Sequence, residues 1–173
     1  MKNKLKKLLI VLTFVSVLFF FSNGKGYLTA KIEGYRALKV FAYIKNTELM
    51  SEFNTYETEH FILRYTTKDA DIIRDVGKVL ERSYRAVGED YGYYSKAKTL
   101  VFMYDSQKSM WEYQRSVSGQ AVMGFYNMGI IHILSPKVYR SSSQIRSGNF
   151  DKDGPILHEY THRVVDDMSA GNV

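Results

Sequence analysis

The chain has 173 residues, of which 45% are hydrophobic and 24% are charged, as in ordinary globular proteins. A chain of this length can bury one good core, so we expect one domain behind a leader. The formal net charge is +6, but four of the positive charges lie in residues 1–24, which contain no acid. The remainder has 20 basic (24 − 4) and 18 acidic groups, a net charge of +2. With so small a charge, we do not expect the protein to bind nucleic acid. The absence of cysteine excludes disulfides and thiolate metal ligands.

An export signal opens the chain. Four lysines in the first seven residues precede an uncharged apolar run from Leu8 to Phe21. As a helix, this run would span about 21 Å, short of the roughly 30 Å of a bilayer's hydrocarbon core. That length favours a cleaved signal peptide that comprises residues 1–24. Ser22–Gly24 matches a cleavage site only weakly, so a retained anchor that associates with the membrane through residues 5–21 stays open. The protein is predicted to be secreted or membrane-tethered, outside the cytoplasm.

A helical spacer and the first strand are predicted next. Between Tyr27 and about Asn46, apolar residues recur at threes and fours, which predicts an amphipathic helix within a spacer of residues 25–55. Its lysines and arginines leave a membrane-surface helix as an alternative. His60–Tyr65 is rich in strand formers and predicts a strand, in which His60 is interpreted as an ordinary strand residue.

A long helix and a second strand follow. The helix is expected to begin at Asp69 or Asp71, with apolar residues on one face, and to end near Gly88. Its charged face is interpreted as a solvated surface. Thr99–Tyr104 predicts the second strand, and Ser106 to about Val117 predicts a short helix.

The pattern then indicates a hairpin and a loop. Ala121–Tyr126 and Ile130–Leu134 are predicted strands separated by Asn127-Met128-Gly129, a hairpin signal. His132, alone in the second of these strands, is a weak candidate for a metal ligand. Ser141–Lys152 is polar and predicts a loop. The order of elements predicts an α+β fold, in which a small mixed sheet packs against helices on one side.

The strongest chemical signal is the run His158-Glu159-Tyr160-Thr161-His162. Histidines four residues apart lie on the same face of a helix, so both imidazoles can reach one tetrahedral zinc ion. Glu159 lies roughly a hundred degrees away on the helical wheel, where it can act as a general base beside the metal. Such a pattern arises by chance in roughly half a per cent of sequences of this composition.

The setting of this motif favours a metal site over two solvated histidines on an exposed helix. Asp153 is a suitable N-cap, and Pro155 lies in the first turn, where a missing N–H costs little. Apolar residues before and after the motif predict a partly buried helix from about Gly154 to Met168. Burial matters because a metal site needs fixed geometry and oriented supporting groups.

The order of these elements resembles the peptidase MA-like zinc metallopeptidases of the gluzincin group. The resemblance covers Tyr56 to Val173 and lies in three places. Glu59–Tyr65 is similar to the opening strand of such domains, and Gly124–Ser135 is similar to the strand pair that precedes their active-site helix. The third and most specific place is the motif from His158 to His162.

The resemblance implies an incomplete metallopeptidase domain over residues 56–173. It implies that His158 and His162 bind Zn²⁺, that Glu159 is the general base, and that the substrate is a peptide or protein. It also implies that Gly129–Leu134 offers a sheet edge to which an extended peptide can add as a strand.

The sequence supplies two zinc ligands, whereas a catalytic zinc has three protein ligands. The metzincin continuation requires glycine and histidine where this chain has Val165 and Met168, so that branch is excluded. In gluzincins the third ligand is a glutamate on a later helix, some tens of residues on, yet eleven residues follow His162. Asp166 and Asp167 are the nearest carboxylates, and Asp166 is a weak candidate because its side chain is short.

We therefore expect a truncated metallopeptidase with little or no turnover. The alternative is a non-catalytic module, exported or membrane-tethered, that binds a protein partner. The sequence leaves the oligomeric state and the substrate preference open.

Overall fold

A computed structural model describes residue 17 and residues 24–49, 52–113, 121–147 and 154–169. The apolar run of the leader, Leu8–Phe21, therefore lies almost wholly outside the described residues. Within those residues, no helix is both long enough and apolar enough to cross a membrane. The chain divides into two compact units, Met1–Leu38 and Lys39–Val173. The predicted boundaries near residues 24 and 55 stay predictions.

The first helix, α1, runs from Gly24 to Leu49, so the predicted helix is confirmed with longer ends. Its predicted apolar stripe is mostly exposed. Within the second unit, Phe41 and Ile44 are 63% and 51% exposed, whereas Lys39 and Ala42 are half-buried. Lys39 pairs with two carboxylates of the same unit, Asp166 and Asp167.

Five strands form one mixed sheet in the order β1-β2-β3-β5-β4. The three central strands are parallel, and each edge strand is antiparallel to its neighbour. The strands are β1 Asn54–Glu57, β2 Phe61–Tyr65, β3 Thr99–Tyr104, β4 Gly124–Asn127 and β5 Ile130–Leu134. The sequence does not predict β1, because this edge strand is mostly exposed and has no buried alternation. A mixed α+β fold with a small sheet is therefore confirmed.

The remaining helices are α2 Ile73–Tyr91, α3 Gln107–Tyr113, α4 Ser142–Arg146 and α5 Pro155–Ser169. Helix α2 ends at Tyr91, so Gly88 lies near its end as predicted, and Gly92, whose φ of +62° lies in the left-handed region, caps it. The helix begins at Ile73, after a 3₁₀ turn over Thr67–Asp69, and not at Asp69 or Asp71 as predicted. Helix α4 lies in the segment predicted as a loop. Ser141 and Gln144 form a capping box that begins this short helix.

The sheet buries both of its faces. On one face, residues of the three central strands pack against α2 and α5, as predicted. On the other face, Leu100, Phe102 and Tyr104 of β3 pack with Phe53 and with Met110 of α3. The prediction of helices on one side is therefore wrong for α3.

A two-residue turn joins β4 to β5 and confirms the predicted hairpin. Met128 and Gly129 both have positive φ, +48° and +87°, as type I′ hairpin turns require. Strand β4 is one of the two edge strands of the sheet, and it also contacts α5.

Candidate metal centre

The three motif side chains lie on α5, which begins at Pro155 within one residue of the predicted start. Ile156, Tyr160 and Val164 follow at four-residue intervals and are buried against the sheet. The two motif histidines lie off this stripe and are exposed, whereas the motif glutamate is buried. The predicted N-cap, Asp153, lies outside the described residues. The helix thus presents both imidazoles on one face, one turn apart.

The imidazoles of His158 and His162 face each other across one helical turn. Their Nε2 atoms are 3.1 Å apart, and their rings lie at 83° with centroids 4.7 Å apart. Two nitrogen ligands of a tetrahedral zinc ion, each about 2.05 Å from the metal, are about 3.3 Å apart. The distance between the two Nε2 atoms is therefore close to the distance between two adjacent zinc ligands. Without metal, the same spacing suits an N–H···N hydrogen bond between the rings.

The Glu159 carboxylate lies beside this pair but in a different environment. Glu159 is 6% exposed, and its ligand atom lies within 4.8 Å of those of both histidines. Burial raises the pKa of its carboxyl, while attraction to His158 and a hydrogen bond from the backbone N–H of Tyr126 oppose the rise. A buried carboxylate with a raised pKa is a stronger base than an exposed one.

Gly124 lies where β4 passes close to α5. A Cβ atom at this position would be 2.6 Å from the Cβ of Pro155 and 3.2 Å from the Cγ of Glu159. Only glycine therefore fits without a shift of the strand or the helix. This close approach lets the N–H of Tyr126 in β4 reach the Glu159 carboxylate.

An open cavity of about 370 Å³ adjoins the motif. One part of its lining comes from the approach to β4, Val122–Gly124, and the other part comes from Gly154 and the first turns of α5. The cavity includes His158 and Glu159 in its lining, so a bound molecule can contact a ligand and the base together.

Asp166, the weak candidate for a third ligand, is engaged elsewhere. It is 6% exposed and accepts hydrogen bonds from Lys39 Nζ at 2.8 Å and from the Tyr126 hydroxyl. Asp167 forms ion pairs with Lys39 and Arg163. Among the described residues, the only group with metal-ligand geometry is that of the two motif histidines and Glu159. Asp166 instead ties Lys39 and β4 to α5 within the second unit.

The other two histidines lie outside this group. His132 is buried among aromatic rings, with Phe125 stacked on it at 4.5 Å and its Nδ1 bonded to the Tyr104 hydroxyl. His60 directly precedes β2, and its Nδ1 is 2.7 Å from a carboxylate oxygen of Glu81. Neither ring belongs to the motif group.

The structure adds two residues that the sequence does not single out, Gly124 and Tyr126. It also corrects the position of the sheet edge. Gly129–Leu134 contains β5, which lies between β3 and β4, so its backbone is paired on both sides. The free edge beside the motif belongs to β4, which the sequence did not predict to be an edge strand.

Comparisons of this chain with protein-family models, with curated proteins and with solved structures find no match.

Proposed function

We propose that this chain provides the zinc-binding helix and the general base of a gluzincin-type metallopeptidase that cleaves peptide bonds outside the cytoplasm. The main support is the pair of Nε2 atoms 3.1 Å apart, with a buried carboxylate in the same 4.8 Å group. Two nitrogen ligands and an adjacent base are what zinc-dependent hydrolysis requires of a motif helix.

Zinc, when bound, supplies polarisation of the scissile carbonyl and a lower pKa for water. Glu159 accepts the proton of the attacking water and passes it to the leaving amine. The N–H of Tyr126 holds the Glu159 carboxylate in place during these transfers. The outer strand β4 offers backbone groups to which an extended substrate can add as a further strand.

The number of ligands limits the expected activity. The described residues supply two histidine ligands, and a site with two protein ligands holds zinc more weakly than one with three. We propose that turnover is low unless a further carboxylate completes the site. The proposed location rests on the leader of residues 1–24, which is either a cleaved signal peptide or a retained anchor that associates with the membrane through residues 5–21.

The test is the substitution Glu159→Gln in a C-terminally extended version that supplies a third ligand. Glutamine keeps the side-chain size but cannot accept the proton, so zinc-dependent cleavage of a fluorogenic peptide library should fall by about 100-fold or more. Glu89→Gln, on the exposed surface of α2, is the matched control and should leave the rate unchanged. Equal rates for Glu159→Gln and the parent would refute the proposed role of the base.

Protein binding without catalysis is the second candidate function. It is favoured by Val40, Phe41 and Ile44 of α1, which are 60%, 63% and 51% exposed. This alternative predicts that the protein's stability does not change on addition of zinc, in the parent or in His158→Ala. A rise in the unfolding temperature with zinc that disappears in His158→Ala favours the metal site instead.

A further inference from the structure

A groove of about 500 Å³ lies along α2, beside the edge strand β1. Tyr56 and Thr58 contribute to its lining from β1 and the residue after it, and α2 contributes a row of basic side chains. We propose that this groove binds an extended acidic peptide segment of a partner protein, with carboxylates on alternate residues. This proposal does not rest on the proposed hydrolysis, because no residue of the groove belongs to the motif group.

The basic residues of the groove form a ladder of like charges. Arg74, Lys78 and Arg82 follow one another at four-residue intervals, and Arg85 lies three residues further on. Like charges at these spacings are neighbours on the helix surface and destabilise it. Asp75 pairs with Lys78 at 2.8 Å, and Arg82 also has a partner. Arg74 and Arg85 make no hydrogen bond or ion pair within the described ranges. An anionic partner would relieve this repulsion.

The spacing of the ladder fits an extended peptide. Four residues of an α-helix rise about 6 Å, so Arg74, Lys78 and Arg82 project at steps of about that length. Alternate side chains of an extended chain lie about 6.7 Å apart on the same face. Over two steps the mismatch is only about 1.4 Å, which flexible arginine and lysine side chains can absorb.

The walls of the groove favour a narrow chain over a flat bilayer surface. Gly77 lets the ring of Tyr56 lie close to α2, since a Cβ at position 77 would be 2.9 Å from Tyr56 Cε1. Glu81 is the one acid in the lining, and its carboxylate is engaged by His60, with 2.9 Å to the backbone N–H and 2.7 Å to Nδ1. The groove is therefore concave and positively charged, and one side is an edge strand.

The test uses the full chain in a neutral detergent and a fluorescein-labelled peptide of alternating glutamate and threonine, eight residues long. Fluorescence anisotropy should show saturable binding that weakens as salt is added. The double substitution Arg74→Glu with Arg85→Glu should weaken binding about tenfold or more. Lys108→Glu with Arg146→Glu makes the same charge change at exposed positions of α3 and α4 and should alter binding less than twofold.

Four results would overturn the proposal. The first is no binding of the peptide, and the second is an equal loss in the two double variants, which would indicate a response to net charge alone. The third is equal binding of a peptide in which four glutamates precede four threonines. The last is tighter binding of anionic lipid vesicles or a single-stranded oligonucleotide than of the alternating peptide.

Discussion

Replacing His132 by asparagine is expected to remove a pH dependence of stability that originates in the sheet. His132 is 1% exposed and is stacked between Phe102 and Phe125, with ring centroids 5.7 Å and 4.5 Å away. The hydroxyl of Tyr104 is 2.9 Å from its Nδ1. Burial lowers the pKa of His132 from 6.5 to about 3, because a charged imidazole would have to leave water.

The size of the effect follows from the two pKa values. The unfolded chain takes up the proton near pH 6.5 and the folded chain only near pH 3, so the unfolded state binds more protons between these values. The contribution of the neutral His132 to the free energy of unfolding is therefore fully present above pH 6.5 and is lost progressively as the pH falls towards 3. Between pH 7 and pH 5, both above the folded-state pKa, the loss from this one group amounts to about 2 kcal/mol.

Urea unfolding at pH 7 and pH 5, followed by the fluorescence of the single tryptophan, Trp111, measures this loss. Asparagine cannot take up a proton and keeps a polar atom near the Nδ1 position for Tyr104. The parent should lose about 2 kcal/mol more than His132→Asn between the two pH values. If the two proteins lose the same free energy, the argument from burial is refuted.

Three further substitutions probe other parts of the structure. Gly124→Ala places a Cβ 2.6 Å from that of Pro155 and should cost about 1–3 kcal/mol, measured by urea unfolding; an unchanged midpoint would contradict the close approach of β4 to α5. Gly92 has open space around it and a φ of +62°, so Gly92→Ala should lower the free energy of unfolding by about 1 kcal/mol. Gly92→Asn should lower it less, because asparagine tolerates the left-handed region, and equal losses would argue against the left-handed cap. Asp69→Asn should raise stability by about 1 kcal/mol at pH 7, because burial raises the pKa of this carboxyl and its Oδ2 has no hydrogen-bond partner in the described ranges. The exposed Asp71→Asn, which loses its ion pair with Lys137, should give no such gain.

Continuous apolar patterns predicted the centre of the fold. The strands Thr99–Tyr104 and Ile130–Leu134 are fully buried, and their runs of apolar residues identify them without knowledge of the neighbours. The motif helix was predicted for a similar reason, since its apolar positions match the helical period. Helix α4 had a recognisable signal too, because Ser141 and Gln144 have the spacing of a capping box.

The support around Glu159 could not be predicted, because it depends on strand order. Tyr126 is 33 residues from the glutamate that its N–H contacts (159 − 126), and hydrophobic periodicity does not say which strand is outermost. The free edge was therefore expected along β5, where the structure has a central strand. The need for glycine at position 124 could not be predicted either, because it depends on the proximity of Pro155.

Zinc titration by calorimetry tests the proposed metal centre most directly. The parent chain is expected to bind one zinc ion, because the Nε2 atoms of His158 and His162 are already 3.1 Å apart. Binding should be lost in His158→Ala and in His162→Ala and should persist in His60→Ala, which removes an imidazole that pairs with Glu81. Zinc binding of equal strength in all four proteins would contradict the account.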